Sequence, residues 1–151
     1  MIHFALKAGC FTFKDNLQKT FIDSCWYVFA MMIVMNKIIT GNAAIDGRKT
    51  RSWIVGYFMP DDDIRRTNDV EIKWVVLKKG DSRQEWVTAE HRTTIVILVS
   101  GKHTVDFKDS KATLSVSGDY VMWGHGTSHK WHTDEDSVII TVRWPSIKSI
   151  N

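Results

Sequence analysis

The sequence predicts an all-β domain, most simply a jelly-roll barrel made of two sheets. From Thr50 onward, apolar and polar residues alternate with a period of two, which is typical of half-buried strands. Turn residues, chiefly glycine, aspartate and serine, fill the gaps between these runs, and no helical period longer than two turns occurs after residue 37. Eight or nine short strands at this spacing favour a double-sheet jelly roll or a small barrel.

The predicted strands follow one another between clear turns. Residues 51–58 form the first strand, which ends at a turn of Pro60 and three aspartates. The second alternates between apolar and charged residues over 70–76, the mark of a half-buried strand, whereas 93–100 is a β-branched run suited to burial on both faces. The other predicted strands lie at 85–90, 103–107, 112–116, 120–123 and 137–144, the last ended by Pro145.

Residues 1–36 differ from the region that follows. Their uncharged apolar run at 24–35 is too short to cross a bilayer, which takes about twenty residues. Acidic residues precede the run and no small-residue cleavage site follows it, so a signal peptide is a poor match. We therefore expect a barrel domain at 37–151 behind an N-terminal extension. That extension is a translated leader before a natural start at Met35, a docked helix or strand, or a targeting segment.

Composition narrows the classes of partner. A chain of 151 residues with 44% hydrophobic and 25% charged residues is ordinary for one soluble domain with a real core. The net charge of +3 is dispersed and forms no basic stripe, so we expect neither nucleic acid nor membrane as a partner. The only cysteines, Cys10 and Cys25, precede the barrel and supply no disulfide framework or zinc spacing. A reducing, cytoplasmic location is the simplest expectation.

The most informative segment lies between Gly118 and Thr133. A glycine turn leads into a short apolar strand, a tight Gly-His-Gly turn follows, and His129 comes three residues later. This segment resembles the second motif of the cupin superfamily, G-x5-P-x-G-x2-H-x3-N. The resemblance implies the cupin form of the jelly roll, a double-stranded β-helix.

The residues fit this second motif in part. Gly118 fills its first position, Gly124 stands where proline is usual, and Gly126 fits the next glycine. His129 matches the metal-ligand histidine, and Thr133 replaces the asparagine. The framework of the motif is therefore present with two substitutions.

The first cupin motif, G-x5-H-x-H-x3,4-E-x6-G, is matched only in its glycines, Gly80 and Gly101. Counting forward from Gly80 places Trp86 and Thr88 at the two histidine positions. Counting back from Gly101 places Thr94 at the glutamate position. The metal part of the signature is therefore largely missing.

The resemblance implies a metal site of three imidazoles and a carboxylate at the barrel mouth. His129 is the first candidate ligand. Glu90 and His91 come near the missing ligand positions with one residue of slippage, and a bulge near Ala89 would turn His91 inward. His125, in the turn at the rim, is the fourth candidate. The metal would be iron, manganese, zinc or nickel.

Aromatic residues favour a cavity that binds an organic ligand. Trp86 stands where the family places a metal ligand, so an inward Trp86 would form an apolar wall. Trp131 shares the face of His129, because alternate residues of a strand point the same way. Arg143 in the last strand is a candidate for binding a carboxylate or phosphate. The predicted ligand-binding residues are Trp86, Thr88, His125, Trp131 and Arg143.

Two functions remain beside a structural or interaction role, and we favour the first. One is a small cupin that binds a small organic ligand, without a certain cofactor. The alternative is a metal-dependent isomerase, lyase or dioxygenase that uses His129 with His91, His125 or Glu90. No dinucleotide, P-loop or HExxH motif occurs in the sequence. The resemblance also implies a homodimer, and we expect His103 and His132 at the surface.

Overall fold

The computed structural model describes residues 38–88 and 91–148 of the chain. The chain divides into two compact units, Met1–Ile39 and Thr40–Asn151, and the second carries the strands. The extension predicted at 1–36, both cysteines and Glu90 lie outside the described residues. In the part of the chain that the structure describes, no helix is long and apolar enough to span a membrane.

A short helical segment opens the second unit. Helix α1 spans Ala43–Asp46 and continues into a 3₁₀ turn at Gly47–Thr50. Asn42 begins the helix, because its side-chain Oδ1 accepts hydrogen bonds from the backbone N–H groups of Ala44 and Ile45. With four residues each, these two elements leave the core to the strands.

The described residues form nine strands, eight near the predicted positions and a ninth at Ser128–Thr133 that the strand prediction did not name. The first is shorter than the predicted 51–58, because the chain turns at Gly56, whose N–H donates to the carbonyl of Arg65 at 3.0 Å. The strands are β1 Trp53–Val55, β2 Glu71–Leu77, β3 Ser82–Thr88, β4 Thr93–Ser100, β5 His103–Phe107, β6 Lys111–Leu114, β7 Tyr120–Trp123, β8 Ser128–Thr133 and β9 Ser137–Trp144.

These strands build two antiparallel sheets that face each other. One sheet has five strands in the order β1-β2-β9-β4-β7, and the other has four in the order β3-β8-β5-β6. The predicted all-β jelly roll is thereby confirmed. The apolar cluster between the sheets comes from both of them and consists of Leu77, Val96, Leu98, Val105, Leu114, Trp123 and Ile139.

Glycines close the turns that frame the motif region. Gly101 follows β4 with a φ of 88°, and Gly118 precedes β7 with a φ of 94°, a left-handed backbone that L-residues rarely adopt. A Cβ on Gly101 would also lie 2.3 Å from the carbonyl oxygen of Asp136. The turn after β4 therefore requires glycine for two separate reasons.

Candidate ligand-binding cavity

A cavity of about 640 Å³ lies between the two sheets. Its wall includes inward residues of β2, β4, β5 and β9, among them Val75, Val96, Val105 and Ile139. These residues belong to or pack against the apolar core, so part of the cavity wall is apolar. A cavity of this volume is within the range that holds small organic molecules.

Aromatic rings supply a second part of the wall. Trp53 from β1, Trp123 from β7 and Trp131 from β8 all line the cavity. The ring of Trp123 lies 4.6 Å from that of His129 and 5.5 Å from that of Phe107, centroid to centroid. Tryptophan rings therefore line the cavity. Of the two tryptophans that the sequence suggested for this wall, Trp131 lies on it and Trp86 does not.

Cationic side chains supply the third part. Lys73, Arg83, Arg92 and Arg143 line the cavity, and they come from both sheets and from the segment before β4. Burial, together with the charges of Arg83 and Arg143, lowers the pKa of Lys73. Arg143 likewise has a pKa lowered first by burial, with a smaller contribution from Arg92 and Arg83. These cations therefore lie close enough to repel one another.

One buried carboxylate balances part of this charge. Glu71 is 1% exposed, and its Oε2 accepts a hydrogen bond from Nε of Arg143 at 2.9 Å and another from the guanidinium Nη2. Its Oε1 lies 4.0 Å from Nη2 of Arg92 and accepts from the hydroxyl of Ser146 at 3.3 Å. Within the described residues, no carboxylate lies within ion-pair distance of Lys73 or Arg83. The cavity wall is therefore net positive.

The structure places Arg143 and Trp131 on the cavity wall, as the sequence suggested, and His129 with them. His129 is 9% exposed, and its Nδ1 lies 3.5 Å from the carbonyl oxygen of Thr127. Burial lowers the pKa of His129, and the charges of Arg83 and Arg143 lower it further. Burial and the neighbouring cations therefore disfavour the charged form of this imidazole.

Trp86 lies elsewhere than predicted. In β3, Arg83 pairs with Trp131 and Val87 pairs with His129, so three residues of β3 stand opposite the single residue between them in β8. Arg83 and Val87 line the cavity, and alternation along β3 puts Trp86 on the other face, where it is 40% exposed. The ring of Trp86 lies instead near two ammonium groups, 3.9 Å from that of Lys108 and 5.3 Å from that of Lys130.

Thr88 and His91 lie on the cavity wall, whereas His125 does not. Thr88 lines the cavity and shares a 2.7 Å hydrogen bond with Ser128. His91 also lines it, and its ring stacks on that of His125 with centroids 5.6 Å apart and planes 7° from parallel. His125 itself is exposed and is not part of the cavity wall. A φ of 60° at His91 shows that the chain bends sharply before β4.

The surface position predicted for His103 is wrong. This residue is 1% exposed and lines the cavity, because β5 lies between β6 and β8 and pairs His103 with Leu114 and Thr133. Burial, and then the charge of His132, lowers the pKa of His103 to about 4. His132 points to the other face of its sheet, where its Nδ1 lies 3.2 Å from a carboxylate oxygen of Asp106.

The donors around His129 do not fit a metal ion. Among the described residues, no group of three or more His, Cys, Asp or Glu side chains is close enough to hold one. His91 is stacked on His125, and Glu90 lies outside the described residues. The guanidinium groups that depress the pKa of His129 would oppose a divalent cation at the same nitrogen.

Buried polar atoms without a partner are the remaining feature of the cavity. Three lining residues carry such an atom in the described structure: Oγ1 of Thr94, Nδ1 of His103 and Nε1 of Trp123. These residues are 3%, 1% and 7% exposed. Buried polar groups are nearly always hydrogen-bonded, so three in one cavity indicate a place for polar atoms of another molecule or water.

Sequence reasoning missed several cavity residues. The alternation in β2 is real, but Lys73, Val75 and Leu77 face the cavity, whereas Ile72, Trp74 and Val76 alternate with them on the other face. A period of two does not say which face is inside. Leu77 could have indicated the inner face, because it is apolar, belongs to the core and alternates in phase with Lys73 and Val75.

Comparison with known proteins agrees with this fold. Residues 67–138, a little under half of the chain, match the family model described as a EutQ-like cupin domain. No curated protein matches the sequence. This match supports a cupin domain in the chain, as its motifs suggested.

Solved structures to which the chain is similar include three from different bacteria. KdgF from Halomonas sp. is 28% identical over 52% of this chain and 72% of that one, with a TM-score of 0.48. A cupin-2 domain protein from Shewanella frigidimarina is 22% identical over 52% and 72%, with a TM-score of 0.43. The EutQ protein of Clostridium difficile is 15% identical over 52% and 53%, with a TM-score of 0.44.

Proposed function

We propose that this cupin domain binds a small organic molecule in the cavity between its two sheets. The observation that carries the proposal is the cavity itself, about 640 Å³ in volume and lined from both sheets. Trp53, Trp123 and Trp131 offer ring faces to the carbon skeleton of a ligand, and the apolar core residues close the wall behind them. The fold thus serves as a rigid container, and specificity would come from its polar side chains.

The alternative, a metal-dependent enzyme, has less support. It requires two or three further ligands beside His129, whereas the described residues bring arginines to that side chain. His91 and His125 are close to each other, but their parallel rings face each other and no third donor joins them among the described residues. We therefore place the binding role first.

A cavity-filling variant tests the proposal. Thr141 lies on the inner face of β9 and lines the cavity, whereas the adjacent Ile140 lies on the opposite face of the strand. We expect Thr141→Trp to abolish binding of an apolar fluorescent probe such as anilinonaphthalene sulfonate, and Ile140→Trp to retain it. Native mass spectrometry of the purified protein would show in parallel whether a small molecule copurifies.

Two outcomes would contradict the proposed binding function. If neither the fluorescent probe nor any copurified molecule is bound, or if Thr141→Trp binds the probe as the parent does, the cavity is not a binding site. Circular dichroism checks that both variants still fold.

We also propose a homodimer that uses the outer face of the five-stranded sheet, in the cytoplasm. On that face, Val76 and Met122 are both 56% exposed, Tyr120 is 65% exposed and Trp144 is 39% exposed. Alternation puts Trp74 and Ile140 on the same face. Apolar side chains exposed on one sheet face favour association, and two copies of one face pack against each other with two-fold symmetry.

A further inference from the structure

We propose that the ligand of the cavity is a hydroxylated carboxylic acid. Its carboxylate would lie among Lys73, Arg83 and Arg143, and its hydroxyl oxygens would bond to Thr94, His103 and Trp123. This inference rests on the proposed binding function and specifies its chemistry. Two independent observations carry it, the uncompensated charge of the wall and the buried polar atoms without partners.

The charge argues for an anion. Lys73 from β2, Arg83 from β3 and Arg143 from β9 each line the cavity, and their charges act on one another across it. Of these three cations, only Arg143 has an ion-pair partner within the described structure, and that partner is Glu71. Holding cations close enough to repel one another costs free energy, and an anion placed between them offsets that cost. A carboxylate also matches the planar fork of a guanidinium with two parallel hydrogen bonds.

The unpartnered atoms argue for hydroxyl groups. Nε1 of Trp123 can only donate, so it requires an acceptor, whereas the hydroxyl of Thr94 and the imidazole of His103 can donate or accept. Leaving such a group buried without a partner costs free energy. Ligand hydroxyl groups, which both donate and accept, would satisfy all three kinds of atom.

The register of the five-stranded sheet places Arg143, Thr94 and Trp123 in one row. Thr94 in β4 is the Cα partner of Arg143 in β9 on one side and of Trp123 in β7 on the other. Neighbouring strands are about 4.8 Å apart, so one small molecule can reach across the row. A carboxylate at Arg143 would bring the adjoining carbon atoms past Thr94, where a hydroxyl group meets its Oγ1. Inorganic phosphate lacks the carbon skeleton that the apolar and aromatic walls would contact.

Four probes separate the parts of this inference. Gluconate is a six-carbon chain with a carboxylate at one end and hydroxyl groups on the other carbons. Hexanoate has the same chain length and only the carboxylate, and sorbitol has only hydroxyl groups. Inorganic phosphate is an anion without a carbon skeleton. By isothermal titration calorimetry, we expect gluconate to bind at least tenfold more tightly than each of the other three.

Two variants of the cavity wall assign the roles. We expect Arg83→Gln to weaken gluconate and hexanoate binding at least tenfold and to leave sorbitol unchanged, because it removes a charge. Thr94→Val should weaken gluconate binding three- to tenfold and leave hexanoate unchanged, because it removes a hydroxyl group of similar size. Lys111→Gln and Thr113→Val, at exposed positions of β6, are the matched controls and should change neither affinity.

Each other outcome overturns the inference. Equal binding of hexanoate and gluconate would exclude the role of hydroxyl groups, and equal binding of sorbitol would exclude the carboxylate. Tighter binding of phosphate would point to a different anion. If none of the four binds while the fluorescent probe still does, the cavity is a site for another class of molecule. In that case this inference fails and the proposed function stands.

Discussion

Glu71 and Arg143 form a buried ion pair between β2 and β9, at the edge of the cavity. Each is the Cα partner of the other, Nε of Arg143 donates to Oε2 of Glu71 at 2.9 Å, and Glu71 is 1% exposed. The pair holds Arg143 in place, and it also neutralises the charge that a bound anion would use. Stability and anion affinity are therefore opposed at this position.

We expect Glu71→Gln to lower stability and raise affinity for an anion. Removing one partner of a buried pair leaves the other charge uncompensated, which costs about 3 kcal/mol in the free energy of unfolding. Gluconate should then bind more tightly, because Arg143 no longer has a competing carboxylate. Urea unfolding and calorimetry measure the two effects.

The control for this change is an ion pair at the surface. Lys78 and Asp136 lie 2.8 Å apart with both side chains largely exposed. Water screens such a pair, so Lys78→Ala should leave stability nearly unchanged. A similar loss in both variants, or a lower gluconate affinity in Glu71→Gln, would contradict the interpretation of the buried pair.

Gly101 and Gly118 should differ in their tolerance of a side chain. Both have a positive φ, so alanine costs about 1 kcal/mol at either position through backbone strain. At Gly101 the added Cβ would also overlap the backbone of Asp136, whereas at Gly118 it would meet nothing within 4 Å. We expect Gly101→Ala to lower the melting temperature far more than Gly118→Ala. Equal shifts in the two variants would show that the close approach to Asp136 relaxes.

Acid should destabilise the protein through His103. Its pKa is about 4 in the folded state and about 6.5 when unfolded, so between these pH values the unfolded chain binds more protons and stability falls as pH falls. A difference of this size corresponds to roughly 3 kcal/mol, lost between about pH 6.5 and 4. Urea unfolding as a function of pH measures it.

Two variants identify the group that titrates. His103→Gln should reduce the slope of stability between about pH 6.5 and 4. Some slope should remain, because burial also lowers the pKa of His129. His132→Gln, on the other face of the sheet, should retain most of the slope. An unchanged slope in His103→Gln would mean that this imidazole accepts a proton in the folded state without penalty.

The outer sheet face predicts the oligomeric state. We expect the full chain to be a dimer by light scattering, and Met122→Glu to shift it toward the monomer, because it puts a charge among exposed apolar residues of β7. Val116 is 65% exposed in the segment between β6 and β7, so Val116→Glu is the control that should leave the dimer intact. A monomeric parent chain, or a dimer in Met122→Glu, would exclude this interface.

The sequence predicted the strands well and the site in part. Period-two alternation and glycine turns locate strands because both are local properties of the chain. The face on which Lys73 lies, the face of β3 on which Trp86 lies and the central position of β5 that buries His103 are set by pairing between distant segments. His129, Trp131 and Arg143 lie on the cavity wall, as expected from the sequence. Strand β8 pairs with β5, and β9 with β2, without a bulge, so simple alternation holds along both strands.

Thr94 illustrates a conflict between folding and recognition. Its hydroxyl is buried beside Arg143 and Trp123 with no hydrogen-bond partner in the described structure, although valine has nearly the same shape and needs no partner. We therefore expect Thr94→Val to unfold at a higher temperature than the parent even as it binds gluconate more weakly. Screening this protein for heat resistance alone would select against the side chain that recognises its ligand.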